Sequence, residues 1–145
     1  MAVDVATEIE IERPRDEVAA YAVDPDNATQ WYRNIESVTW LSAPPLAVGS
    51  RLAFVARFLG RTLSYTYEVV EHDPGERFVM RTAQGPFPME TIYTWEDTGP
   101  RTTRMTLRNR GEPSGFWKVA APMMAQAIRR ANGKDLAELK RILEG

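Results

Sequence analysis

Between residues 35 and 110 the chain alternates apolar and polar side chains in six successive runs, separated only by short turn signals. The runs fall at roughly 35–42, 50–59, 62–72, 77–84, 88–96 and 102–110, each with the period of two that marks a strand with one buried face. The breakers are Pro44-Pro45 with Gly49, Gly60-Arg61, Asp73-Pro74-Gly75, Gly85-Pro86, and Asp97 to Pro100. None is long enough to hold a crossover helix, so the runs predict an antiparallel meander and exclude a parallel sheet. A seventh run precedes them, with Val3, Val5, Thr7, Ile9 and Ile11 on one side and Asp4, Ala6, Glu8, Glu10 and Glu12 on the other. Pro14 then opens a short helix from Arg15 to about Ala22, at the position where proline is best tolerated. Asp24-Pro25-Asp26 reads as a turn, with Asp26 or Asn27 capping a second short helix to about Tyr32.

Ser114 to about Leu143 reads as one long helix. Ala120, Met124, Ala127, Ile128, Ala131, Leu139 and Ile142 share a side at the 3.6 period. Pro122 is expected to kink it, and Gly133 to weaken it by about 1 kcal/mol relative to alanine. Asp135 projects into the apolar stripe, so either a cation neutralises it or a kink at Gly133 turns it outward.

This order of elements predicts an α+β domain: a curved seven-stranded antiparallel sheet with the C-terminal helix lying across its concave face. One helix is too narrow to fill that face, so a gap between helix and sheet is expected. The inward register carries Phe54, Phe58, Tyr65, Tyr67, Met80, Met89, Tyr93, Trp95 and Met105, with Asn109 near the rim and Met124 facing them from the helix. Aromatic and thioether side chains suit an adaptable apolar cavity, and the phenols offer hydrogen bonds to a ligand carbonyl or hydroxyl. The competing reading is that these residues simply fill the core. A ligand cavity asks for about 300 Å³ or more.

Composition narrows the chemistry. The 145 residues include no cysteine, which excludes disulfides, thiol nucleophiles and thiolate zinc sites. His72 is the only histidine, read as an exposed turn residue before Asp73-Pro74-Gly75. No metal ligand set and no cofactor motif is visible. Glu90 and Glu96 lie opposite Met89, Tyr93 and Trp95 and are expected in solvent, as are Glu8, Glu10 and Glu12. Arg57 and Arg81 fall outside the inward register, while Arg33 and Arg51 stand near strand starts. A net charge of −2 gives no broad attraction to nucleic acid or to an anionic membrane. No signal peptide and no run of about 18 apolar residues is present, so a cytoplasmic protein without integral membrane association is expected.

The chain resembles the START-like (Bet v 1-type, helix-grip) superfamily, and within it the bacterial polyketide cyclase/dehydrase-like (SRPBCC) proteins. The resemblance spans residues 1–145 as a single domain. It rests on Arg13-Pro14-Arg15-Asp16-Glu17-Val18, Asp24-Pro25-Asp26 with Trp31, and Val48-Gly49-Ser50-Arg51. Asp73-Pro74-Gly75-Glu76-Arg77-Phe78 and the closing Asn132-Gly133-Lys134-Asp135-Leu136-Ala137-Glu138-Leu139-Lys140 complete it. It implies a helix-grip fold and three classes of function. The first is binding of a hydrophobic or amphipathic, lipid- or polyketide-like molecule by the residues named above. The second is a polyketide cyclase/dehydrase of the aromatase type, although no catalytic arginine matches. The third is a protein-interaction module like the chaperone activators. A weak homodimer stays open as a partner.

Overall fold

The computed structural model describes residues 3–145, with Phe116 described by its backbone alone, so Met1 and Ala2 of the expected domain lie outside the described residues. Strand β1 (Val3–Ile11) leads into helix α1 (Arg15–Val23), a 3-10 turn (Pro25–Asn27) and the single-turn helix α2 (Ala28–Trp31). Six strands follow: β2 (Ile35–Trp40), β3 (Arg51–Phe58), β4 (Arg61–Asp73), β5 (Arg77–Gln84), β6 (Met89–Gly99) and β7 (Thr102–Gly111). Helices α3 (Phe116–Val119) and α4 (Ala121–Glu144) close the chain. The seven strands form one antiparallel sheet in the order β1-β7-β6-β5-β4-β3-β2, the meander expected from the alternation, with β1 returning to pair with β7. Bulges between Thr66 and Tyr67 and between Val69 and Glu71 interrupt the β4–β5 pairing. Each bulge increases local twist, which helps a sheet of this width to curl around a helix.

Local chemistry explains most element ends. Pro14 stands immediately before α1, where its missing N–H costs nothing. Asp24, rather than Asp26 or Asn27, caps the next turn, its Oδ1 accepting the Asp26 N–H at 3.0 Å. The β3–β4 hairpin turns at Leu59-Gly60, one residue earlier than the expected Gly60-Arg61, and both residues have positive φ (51° and 74°). That is the backbone a two-residue hairpin requires, and a leucine adopts it at a steric cost of about 1–2 kcal/mol. The expected single C-terminal helix is divided: Ala120 leaves the helical path, and Pro122 sits in the first turn of α4 rather than kinking a continuous helix. A proline there removes no intrahelical hydrogen bond, so breaking before it is less costly than bending through it. His72 also differs from expectation. It lies within β4, half-buried, with its ring edge-on to Phe78 at 5.4 Å, and the turn begins only after Asp73.

The main core lies between the concave face and the C-terminal half of α4, joined by α1 and α2. Ile11, Val18, Trp31, Val69, Phe78, Trp95, Met105, Leu107, Leu136 and Leu139 are buried there together. A second apolar cluster of Val3, Val5, Phe87, Trp117, Ala121 and Met124 occupies the other end, beneath α3 and the start of α4. Polar contacts pin the C-terminal end of α4 to the end of β1: Glu144 accepts the Glu12 N–H at 2.7 Å, and Lys140 Nζ donates to the Glu10 carbonyl at 2.9 Å. Outside, paired side chains coat the sheet, as where Arg108 grips both Asp4 carboxylate oxygens at 2.8 and 2.6 Å. Exposed pairs of this kind contribute about 0–1 kcal/mol each, so packing beneath α4 carries the fold.

Met105, 0 % exposed at the centre of that packing, gives a direct check. Met105→Ala is expected to lower unfolding free energy by about 2–5 kcal/mol with an unchanged slope in urea denaturation.

Candidate functional site: a cavity between helix and sheet

Between the two apolar clusters α4 does not fill the concave face, and a cavity of about 140 Å³ remains. Most sheet residues facing it come from the inward register. β3 supplies Phe54, Ala56 and Phe58; β4 supplies Leu63, Tyr65 and Tyr67; β5 supplies Met80. β6 contributes Met89, Thr91 and Tyr93, and β7 contributes Asn109. From α4 come Met124, Ile128, Ala131 and Asn132, while Tyr32, Asn34 and Ile35 reach it from the link between α2 and β2. Glu90 and Arg110 close the lining at the edge.

Of the eleven residues singled out from the sequence, Phe54, Phe58, Tyr65, Tyr67, Met80, Met89, Tyr93, Asn109 and Met124 stand around this cavity. Trp95 and Met105 do not. They are paired neighbours on β6 and β7 at the opposite end of the inner face, sealed under Leu136 and Leu139. Period two assigns a face but not a position along it, which is why these two shared the pattern without sharing the cavity. Thr91, Asn132, Tyr32 and Phe87 were missed. Thr91 lies in the inward register of Met89 and Tyr93, and Asn132 falls four residues from both Ile128 and Leu136 on the buried face of α4, so both had a readable signal. Tyr32 and Phe87 stand outside the strands, where no periodicity marks them.

The volume is about half of that expected from the sequence, because methionines and phenols from both walls reach into the concavity. A dry cavity of about 150 Å³ admits a benzene-sized molecule. Anything larger requires Met80, Met89 or Met124 to change rotamer, a movement that unbranched thioethers make readily.

One connected chain of neutral polar groups crosses the cavity. The Tyr67 and Thr91 hydroxyls share a hydrogen bond of 2.8 Å, Asn109 Nδ2 donates to Thr91 Oγ1 at 2.9 Å, and Asn132 Nδ2 donates to Asn109 Oδ1 at 2.6 Å. It links β4, β6 and β7 to α4. Deeper, the Tyr32 and Tyr93 hydroxyls lie 2.6 Å apart. Burial raises all four phenols: Tyr67 is pushed up to about 12, and Tyr32, Tyr65 and Tyr93 also stand well above the usual phenol range. They are therefore neutral donors at any physiological pH, and the amides of Asn109 and Asn132 transfer no proton. Glu90 is not the free solvent carboxylate expected. Its side chain is 15 % exposed, covered by Arg81 and Arg110. Arg33 and Arg51 bring no cation to the cavity lining, and Arg51 pairs with Glu68 at 2.9 Å.

Asp135 resolves differently from both expectations. Helix α4 runs straight through Gly133, and Asp135 remains 1 % exposed on its buried face. Oδ1 accepts the Arg33 backbone N–H at 3.1 Å, fastening the α2–β2 link to α4, while Oδ2 is buried without a hydrogen-bond partner among the described residues. Desolvation raises its pKa from 3.8 to about 6, against a smaller lowering by the Arg33 N–H and guanidinium.

The profile of the family described as polyketide cyclase / dehydrase and lipid transport matches residues 2–144. The chain belongs to this family. Among solved structures, TTHA0849 from Thermus thermophilus is similar at a TM-score of 0.82 with 20% identity, over 95% of this chain and 94% of that one. The Zhui aromatase/cyclase from Streptomyces sp. R1128 also reaches 0.82, at 16% identity, over 99% and 94%. A START superfamily protein from Mycobacterium smegmatis reaches 0.75 at 19% identity, over 98% and 94%. At such identities these likenesses establish the helix-grip fold and leave the activity to the site. A sequence comparison with curated proteins finds no match. Among the described residues of this polyketide cyclase/dehydrase family member, no three acidic or histidine side chains gather to hold a metal, and no helix is long and apolar enough to cross a membrane.

The raised Asp135 carboxyl has a consequence for stability. It keeps its proton to about pH 6 when folded and releases it near 3.8 when unfolded, so the folded state holds the extra proton between those values. Stability from this group is complete at lower pH and is lost as pH rises through that window, by roughly 1–3 kcal/mol. Asp135→Asn, which keeps an acceptor for Arg33, is expected to flatten that part of the pH–stability curve and to be the more stable form at pH 7, as measured by urea titrations across the range.

Proposed function

We propose that the protein binds a small hydrophobic or amphipathic molecule between α4 and the sheet, seated against the Tyr67–Thr91–Asn109–Asn132 chain. The supporting observation is a cavity with apolar walls crossed by one line of neutral hydrogen-bonding groups. Apolar burial at about 25 cal/mol per Å² would supply affinity, and the hydroxyls and amides would set orientation. A single ring, or the ring-bearing end of a longer lipid- or polyketide-like molecule, matches the volume as it stands. The family's lipid-transport description agrees with this reading.

The aromatase/cyclase relatives suggest a second reading, and the Tyr32–Tyr93 hydroxyl pair favours it: two phenols in contact could steady a developing enolate oxygen. Against it, phenols with raised pKa values and amides make poor proton-transfer groups near neutrality. Binding is therefore the reading we adopt.

Met124→Trp, which projects an indole into the cavity, is expected to weaken binding of 1-naphthol at least about tenfold, a loss of roughly 1.4 kcal/mol. Fluorescence titration would read this, with Leu41→Ser, on the exposed surface, unchanged. Equal affinity in Met124→Trp and the parent would refute a site in this cavity. Tyr93→Phe separates the two readings. A carrier keeps its affinity within a few-fold, whereas an enzyme loses turnover of an enolisable polyketone while still binding it.

A further inference from the structure

Charge on this molecule is unevenly placed. Pro113 to Lys134 contains four cations, Lys118, Arg129, Arg130 and Lys134, and no acid, in a chain of net charge −2. All four are exposed, and none makes an ion pair among the described residues. Five arginines on the outer face of the sheet behave otherwise: Arg77, Arg81, Arg104, Arg108 and Arg110 each lie against a carboxylate. Screening limits electrostatic reach to about 10 Å at ordinary ionic strength. A surface approaching α3 and α4 therefore senses the local cations, not the acids on the far side of the sheet, and the whole-chain net charge misleads.

The same stretch presents apolar side chains to solvent. Val119 is 86% exposed and Met123 65%, the two most exposed large hydrophobic residues among those described. They flank Trp117, Ala121 and Met124, which are buried in the apolar cluster at the cavity's end. The neighbouring β3–β4 tip holds Leu59 at φ 51°, packed against that cluster, where asparagine would be less strained. On the outward face of α4, Met123, Arg130 and Lys134 align at intervals of seven and four residues, with Arg130 about 10 Å beyond Met123 along the axis. Cations spread along a helix face do not converge on one small anion. They match a laterally extended one.

We propose that α3 and the outer face of α4 dock on an anionic lipid surface, with Val119 and Met123 entering the acyl boundary and Lys118, Arg129, Arg130 and Lys134 meeting the headgroups. Exposed apolar side chains can enter the acyl boundary while neighbouring cations are drawn to anionic headgroups. Docking of this kind turns the Phe58–Phe87–Met124 end of the cavity toward the bilayer. The inference stands on surface residues and does not require the cavity to hold a ligand.

Sedimentation of the full-length protein with vesicles tests it, using phosphatidylcholine alone and phosphatidylcholine mixed with phosphatidylglycerol. Binding is expected to be at least about tenfold tighter to the mixed vesicles at low salt, and to fall sharply near 0.5 M salt, where screening is several-fold stronger. Val119→Ser with Met123→Ser should weaken binding by about fivefold or more, for loss of two apolar insertions. Lys118→Gln with Arg130→Gln and Lys134→Gln should abolish the preference for anionic vesicles. Arg104→Gln, on the sheet, should change nothing. The side chains substituted on α3 and α4 are exposed, and thermal melting would check that each variant folds. No pelleting with either vesicle, equal pelleting with both, or parent-like binding by either multiple variant would overturn the proposal.

Discussion

A seven-stranded sheet is wider than the helix that covers it, and the rest of this structure follows from that mismatch. At about 4.8 Å per strand the sheet extends more than 30 Å across, whereas a helix with its side chains is about 10–12 Å thick. Curling reduces the difference, and the β4–β5 bulges assist it. Two apolar clusters then form where contact is good, one under Leu136 and Leu139 and the other under Trp117 and Ala121. The cavity is the interval between them.

Long methionines and aromatics narrow that interval without closing it. Four of the polar groups that remain inside are joined to each other: Thr91 stands between Tyr67 and Asn109, and Asn109 stands between Thr91 and Asn132. A buried network is tolerable only when its members are paired, and this one ties three strands to α4 across the open space. It also gives the cavity its character, with donors and acceptors but no formal charge along its length. Asp135 is the exception nearby. One oxygen fastens the α2–β2 link and the other lacks a hydrogen-bond partner among the described residues, which keeps its proton bound to unusually high pH.

Much of the fold was legible because alternation is a local property. Residues such as Leu52, Phe54 and Ala56, or Thr103, Met105 and Leu107, declare their face by parity alone, and the short breakers between runs leave only an antiparallel arrangement. The candidate site was legible in part, for the same reason. Parity brought Phe54, Tyr67 and Tyr93 to the correct side but brought Trp95 and Met105 with them, since nothing local separates the packed end of a strand from the open end. The division at Ala120 and the covering of Glu90 by Arg81 and Arg110 were also hidden, because each depends on what lies across from the residue.

Period-two alternation, the turn residues and one long apolar helical stripe were enough to dictate a curved antiparallel sheet gripping a C-terminal helix. The absence of cysteine likewise ruled out thiol chemistry, and the single histidine any site that needs two imidazoles, from composition alone. Tertiary packing settled the volume and position of the cavity, the pairing of Asn109 with Asn132 across a separation of 23 positions, and the confinement of Asp135. Among the described residues it also left Val119 and Met123 exposed and their neighbouring cations without ion pairs, while pairing Arg77, Arg81, Arg104, Arg108 and Arg110 on the sheet. The division has one physical basis: which face a side chain takes is set by backbone geometry within a few residues, whereas space, proton affinity and exposure are set by atoms that arrive from distant parts of the chain.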